Sequence, residues 1–392
     1  MPALLALFIA AFAFGTTEFV IAGVLPEVAE GLGVTVVNAG YLISAYAMGI
    51  AVGGPLLTVL TARVPRRTLL VWLALAFTAG QVACALAPDF ATMLALRVAV
   101  AFAHGVYFGV AMVVATGIVP EAQRGRAVAI VLAGLTVSNV VGVPLGTAIG
   151  NLWDWRATFW CMAGIGVVAL VAILALIPAH TGRDRPHAGL AAEIRVLGRH
   201  QVWTSLIVML MLMIGQFGLL TYIAPYLTEV TGLDPSWVPW VLLLHGLGAT
   251  AGVFLGGRLA DWKLMPWLVA TLALQAVMLV LLYLASPYAL PMASGIFVWG
   301  ALNFTIGTLV QTRILGATAD AANLASALIP SGFNVGIALA SSLAAALLNA
   351  GYAYATLPLV GAAAMVVAIA AAAASWAVER GPTKARPAAS RI

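Results

Sequence analysis

The stretch "AFGTTEFVIAG" at residues 13–23 sets a carboxylate, Glu18, inside an apolar run that extends from about residue 3 to residue 25. Whether that acid lies in a bilayer or in a soluble core is decided by composition. Of 392 residues, 63% are hydrophobic and 8% are charged, whereas about a quarter of an ordinary soluble domain is charged. No soluble fold hides that much apolar surface. Runs of about 20 apolar residues, the length that crosses roughly 30 Å of hydrocarbon, recur near 3–25, 39–61, 68–87, 91–114, 127–150, 157–178, 203–226, 237–258, 266–285, 290–311, 324–348 and 355–377. These twelve segments must be helices, because an unpaired backbone amide in lipid costs several kcal/mol and only a helix satisfies all of its own. The chain is therefore expected to be an all-α integral membrane protein whose surroundings are the lipid bilayer.

The first run has no basic residue before it and no small-residue cleavage site, and it is longer than a signal-peptide core, so it reads as a retained helix. Cys84 and Cys161 stand apart, with no CxxC or metal spacing, and read as structural thiols; no metal or other cofactor is expected. The net charge of +5 would suit a nucleic-acid partner if it were concentrated in a patch. Instead, an even number of spans puts every Lys and Arg except Arg97 and Arg156 on one side. That is the positive-inside asymmetry of a bacterial inner-membrane protein with both termini in the cytoplasm, with no role for nucleic acid.

The longest polar interval, "AHTGRDRPHAGLAAEIRVLGRHQ" at 179–201, divides six spans from six. The expected organisation is an N-terminal six-helix bundle at 1–178, a cytoplasmic linker at 179–202, a C-terminal six-helix bundle at 203–378 and a cytoplasmic tail at 379–392. Each half carries a matching landmark after its second span, "VGGPLLTVLTARVPRR" at 52–67 and "LGGRLADWKLMP" at 255–266. Aligning Ala62 with Asp261 gives an offset of 199 residues, close to half the chain, so a duplicated six-helix unit is the simplest account. Two such bundles about a pseudo-two-fold axis, with a solute site between them, is an arrangement of secondary transporters. In the fifth span Gly134, Gly142, Gly146 and Gly150 fall along one face and favour close helix packing. Pro144 among them removes a backbone donor and invites a bend.

Taken in order, "FGTTEFVIAGVLPEVA", "GVPLGTAIG" with "DWRATFW", "GLLTYIAPYLTEVTGL", "GGRLAD" and "RILGATADAANLASALIPSGFNVGIALA" resemble the major facilitator superfamily. Within it they are similar to the twelve-span drug:proton antiporters that include chloramphenicol-efflux and sugar-efflux proteins. The resemblance runs from the first span to the eleventh. It implies two pseudo-symmetric bundles and export of a small, partly lipophilic compound against protons; a monomer is the default expectation. Two departures stand out. Where the family's gate motif ends in Asp-Arg-x-Gly-Arg, this chain reads Ala62, Arg63, Val64, Pro65, Arg66, followed by Arg67; the acid is missing here and present as Asp261, after Gly257 and Arg258, in the second half. In the fourth span Arg97 is followed by "VAVAFAHG", which puts His104 and Gly105 a turn later than the family's usual glycine.

Glu18 is the one acid well inside a span. A charge at mid-bilayer costs a few kcal/mol, so it should face a cavity or a partner and serve a function. Such a carboxyl group can bind and release a proton as its surroundings alternate. Counted from the outer ends of their spans, Glu18 lies about 10 Å deep and Arg97 about 9 Å deep at 1.5 Å per residue, so the two are expected within reach of each other, directly or through water. His104, seven residues after Arg97 on the same face, is a candidate second titratable step. In the second half Gln216, Tyr222, Tyr226, His245, Asn303 and Asn334 are neutral polar groups among Met and aromatic residues. They suit a pocket for a neutral or weakly charged small molecule, or hydrogen bonds between helices. The resemblance implies that Asp261 holds one conformational state by pairing with a helix N-terminus of the other bundle near Arg124.

An integral-membrane enzyme is the rival of another class. The sequence offers no nucleophile and base pair, no HExxH, no phosphate-cradling loop and no second intramembrane carboxylate. An uptake symporter or an uncoupled facilitator is the rival within the same class, and a pH-gradient assay separates them.

Overall fold

The computed structural model describes residues 2–178, 197–318 and 322–380. Most of the linker and the tail read above, 179–196 and 381–392, lie outside the described residues. Eleven helices are long and apolar enough to cross a membrane, and one of them, Pro235–Ala285, has 51 residues. At 1.5 Å per residue it is about 77 Å long, more than two hydrocarbon thicknesses. It breaks at Lys263, whose φ of −151° and ψ of 88° are not helical, and Pro266 just beyond cannot donate to the preceding turn. The break divides it into two spans, so the described chain has the twelve expected from sequence.

In chain order the spans are α1 (Pro2–Ala22), α2 (Val36–Leu60), α3 (Arg66–Ala85), α4 (Phe90–Gly117), α5 (Glu121–Leu152), α6 (Trp155–Leu176), α7 (His200–Leu220), α8 (235–262), α9 (264–285), α10 (Ala289–Ala317), α11 (Ala322–Asn349) and α12 (Tyr354–Arg380). They alternate between the face where α1 begins, here the near face, and the opposite far face. Four of the six starts at the far face carry side-chain caps: Thr35, Asp89, Asp154 and Asp234 each accept a bond from a backbone N–H of the following turn, whereas Tyr288 and Ala353 before α10 and α12 do not. An acid there also complements the helix dipole. The bonds that Asp89 accepts from Thr92 hold its carboxyl below the usual range.

An offset of 199 residues carries the start of each helix from α1 to α6 to within two residues of the start of its counterpart from α7 to α12. The same offset pairs the left-handed glycines Gly33, φ 65°, and Gly232, φ 72°, in the connections after α1 and α7. Only glycine adopts that backbone freely. The landmark match seen in sequence thus extends to the whole frame.

In α5 a π-turn at Ser138–Gly142 precedes Pro144, which cannot supply the N–H that a regular helix would ask of it. The glycine stripe of α5 faces α1: a Cβ at Gly134, Gly142, Gly146 or Gly150 would meet Phe8 and Ala11, Thr16, Val20 or Val24 respectively. These glycines let two backbones approach, as their spacing indicated.

The halves join along two seams, α2 on α11 and α5 on α8. On α5 the segment 138–152 packs against α8, whereas 124–137 packs on α1 and α4. Tyr222 donates to the Val37 carbonyl at 2.9 Å, Ser342 to Ser44 at 3.1 Å and Asn151 to the Pro235 carbonyl at 3.1 Å. The Phe19 and Phe217 rings meet at 5.7 Å. All of these contacts lie in the far-face half of the molecule. A Cβ on Gly246 of α8 would stand 2.9 Å from the Val140 Cα within the π-turn of α5, so this closure also depends on a bare backbone. Among the described residues, the α5–α8 seam joins the halves over 138–152 toward the far face and not over 124–137 toward the near face.

Candidate functional site

The N-terminal half brings buried polar groups of α1, α2 and α4 together around Glu18. Glu18 closes the last regular turn of α1, just before the 3₁₀ turn Val20–Ala22, and its side chain is 11% exposed. Arg97 and His104 lie on one face of α4 and are 1% and 3% exposed. His104 Nε2 stands 3.8 Å from the Glu18 carboxylate, while its Nδ1 shares a 3.0 Å hydrogen bond with the Tyr46 hydroxyl from α2. Phe14, Tyr46 and Phe108 pack around the imidazole. The ring is therefore fixed on one nitrogen and faces the acid with the other.

Arg97 lies beside Glu18 without a direct ion pair. Its Nη1 donates to the Thr17 carbonyl at 2.8 Å and its guanidinium lies 4.0 Å over the Tyr46 ring. The bond goes to the backbone beside Glu18, and the side chain nearest the carboxylate is the imidazole. The Nε and Nη2 of Arg97 have no hydrogen-bond partner. A buried cation held by one carbonyl and a ring face needs an anion nearby, and Glu18 on the adjoining residue supplies the charge without direct contact. Sequence reasoning missed Tyr46. It lies in the apolar run "LISAYAMG", where a tyrosine is unremarkable, and only the packing of α2 on α4 brings it to His104.

The polar residues singled out in the C-terminal half do not converge on one point. Tyr222 bonds Val37 across the far-face seam, and Tyr226 is buried at the start of a π-turn. Asn334 donates to the Pro330 carbonyl of its own helix at 3.1 Å. Gln216 is buried on α7 beside Phe217, the residue that meets Phe19. Asn303 of α10 accepts from Gln275 of α9 at 3.0 Å, and His245 of α8 packs on Trp299 of α10 at 5.1 Å between ring centres. Gln275 and Trp299, absent from the sequence expectation, join Asn303 and His245 in a second buried polar cluster.

At the near face Asp261 and Arg258 are exposed, and a Cβ on Gly257 would meet nothing within 4 Å. Asp261 forms no ion pair among the described residues. Arg124, near the N-terminus where its partner was sought, instead pairs with Glu121 at 3.0 Å. Arg67 reaches across to the Leu174 carbonyl at the end of α6. Among the described residues, no lock joins the halves through Asp261.

Comparison with known proteins agrees with this architecture. The chain is 37% identical over 359 residues to the inner membrane transport protein YdhP of Escherichia coli K12, covering 92% of each. It is 35% identical over 343 residues to a chloramphenicol resistance protein of Streptomyces lividans, covering 87% of this chain and 88% of that one. A solved structure of a bacterial homologue of the human lysosomal transporter Spinster, in an inward-facing and occupied conformation, superposes with a TM-score of 0.73 over 96% of each chain at 18% identity. The family model described as Major Facilitator Superfamily matches residues 7–328, and this chain, a multi-pass membrane protein, belongs to that superfamily of transporters.

Proposed function

We propose that the protein is a secondary exporter that exchanges protons for a small, partly lipophilic compound by alternating access, acting as a monomer in the bacterial inner membrane with both termini in the cytoplasm. The observation that carries this reading is the Glu18 carboxylate facing His104 at 3.8 Å, partly exposed, in helices otherwise packed with apolar side chains. The resistance protein of Streptomyces lividans supports an amphiphilic compound as cargo, and a neutral or weakly charged one suits the uncharged polar groups of the C-terminal half.

With the basic near face in the cytoplasm, the conformation described is closed outward and open inward. Glu18 sits just inside the Phe19 and Phe217 contact, on the side where the halves part. A proton taken up from outside in the alternate state is released here to the cytoplasm, through a carboxyl group whose partners change as the seams exchange. His104, anchored by Tyr46, receives or steadies that proton. Arg97 holds α4 to α1 through the Thr17 carbonyl and disfavours a second positive charge at the site. A membrane potential contributes about 2.3 kcal/mol per charge per 100 mV, and so one coupled proton sustains roughly a fiftyfold gradient of a neutral solute at 100 mV.

Proteoliposomes with an imposed pH gradient test the proposal, with chloramphenicol and a simple sugar as probes. Accumulation that follows the direction and size of the gradient is expected for at least one compound. Movement of a probe that only equilibrates, whatever the gradient, would make the protein a facilitator.

A further inference from the structure

The two halves share one frame, so buried polar groups can be compared position by position. An offset of 199 residues pairs Tyr46 with His245 and His104 with Asn303. In the N-terminal half the pair is joined directly, hydroxyl to imidazole at 3.0 Å. In the C-terminal half no hydrogen bond joins the counterparts, and each has a buried atom without a partner, His245 Nε2 and Asn303 Nδ2. Both residues are nearly closed off, at 5% and 1% exposed.

Two neighbours share the deficit. Gln275, which donates to Asn303, has an unpartnered Oε1, and Trp299, whose ring packs tilted against His245, has an unpartnered Nε1. Trp299 and Asn303 are four residues apart on α10 and so face the same way. The unmet groups are two donors, from Asn303 and Trp299, one acceptor, from Gln275, and one imidazole nitrogen that takes either role according to its tautomer. Reversing both amides exchanges the roles of Gln275 and Asn303 but leaves one donor and one acceptor. Four such groups left dry would each forfeit the hydrogen bonds that water gives them in the unfolded chain.

We infer that this cluster is a binding site for a single hydroxyl group, lodged between His245, Gln275, Trp299 and Asn303, which stands in for the direct bond of the N-terminal half. A hydroxyl accepts and donates at once, and in the case of water it meets two donors and two acceptors, the set present here. The chemistry comes from one of two sources, an ordered water or the alcohol of a transported compound entering past His245. A larger or charged group is excluded by the burial and by the absence of any ionised side chain among the four. This inference does not depend on proton coupling at Glu18, so its failure and the failure of the proposed function show in different measurements.

A structure of the purified protein at a resolution that shows waters, with and without chloramphenicol, is the test. Density within hydrogen-bond distance of His245 Nε2 and Asn303 Nδ2 is expected in the protein alone. Its persistence with chloramphenicol assigns the site to water, and its replacement by a hydroxyl of the compound assigns the site to cargo. An empty gap, or a side-chain rotation that joins His245 directly to Asn303, overturns the inference. A double-mutant cycle on thermal unfolding gives a second reading: His245→Phe and Asn303→Leu each lower Tm by a few degrees, and together by less than their sum, because they share one bridging group. Additive losses would contradict it.

Discussion

The N-terminal and C-terminal halves have the same helices in the same places and opposite chemistry at their centres. Where the first has Glu18, Tyr46 and His104, the second has Phe217, His245 and Asn303 at the 199-residue offset. Where the first clamps Arg97 to the Thr17 carbonyl, the second has Ile296. Duplication kept what the bilayer enforces, helix length and backbone satisfaction, and left the interior free to diverge. On the function proposed above, one half responds to protons and the other stays neutral. A carrier that must couple two different solutes benefits from that division, since one bundle senses the driving ion while the other shapes the cargo site.

Importing the neutral chemistry is the strongest way to break this contrast. Tyr46→His combined with His104→Asn gives the first half the pair of the second. The loss of a hydrogen-bonded partner to a charged group, worth about 1.5–3 kcal/mol, should lower gradient-driven export in proteoliposomes by roughly tenfold or more. Unchanged export would show that the charged cluster does not depend on its imidazole.

The seams offer a second contrast, because the far face is joined and the near face is not. A methyl group on Gly246 would press on the backbone of the α5 π-turn, and overpacking costs about 1–3 kcal/mol. Gly246→Ala should therefore shift the population away from far-face closure by roughly five- to a hundredfold. A short bifunctional reagent across Ser44→Cys and Ser342→Cys, whose hydroxyls are 3.1 Å apart when closed, reads that population once Cys84 and Cys161 have been replaced. Cross-linking as fast in the Gly246 variant as without it would count against the steric account.

The identity of the two frames is tested by Gly33→Ala and Gly232→Ala. Both glycines are left-handed, and the strain for an alanine is about 1–2 kcal/mol. Similar falls in Tm are expected from the two variants, and a fall in only one would mean that the connections are not equivalent. The smallest effect belongs to the gate. Restoring the missing acid with Ala62→Asp should favour the state closed at the near face by about 0.3–1 kcal/mol, slowing the same cross-link a fewfold at most. Faster cross-linking would place the lock elsewhere.

Hydropathy made the spans legible because lipid leaves a backbone only one choice, and the landmark pair at 52–67 and 255–266 exposed the duplication. The join of α8 and α9 was legible too, as the polar interval between 258 and 266 that ends in Pro266, and the backbone breaks there at Lys263. At the site, Glu18 declared itself as a lone intramembrane acid, and His104 followed from spacing along α4. Arg97 was placed by depth in the neighbourhood of Glu18, and the structure adds its direct bond to the Thr17 carbonyl, since equal depth fixes height and not direction around the helix. Tyr46, Gln275 and Trp299 carried no signal, as an isolated tyrosine, amide or indole in an apolar run gains its role only from the helix it meets. The separate positions of Tyr222 and Asn334 show the same limit from the other side.

Proton release by the purified protein in detergent, followed with a pH indicator as chloramphenicol and related probes are added, compares the native chain with Glu18→Gln most directly. Release evoked by a probe that binds, and absent from a Glu18→Gln variant that still folds and binds it, is the expected result. Equal release from both proteins, or binding with no release from the native chain, would contradict the assignment of Glu18 as the coupling group.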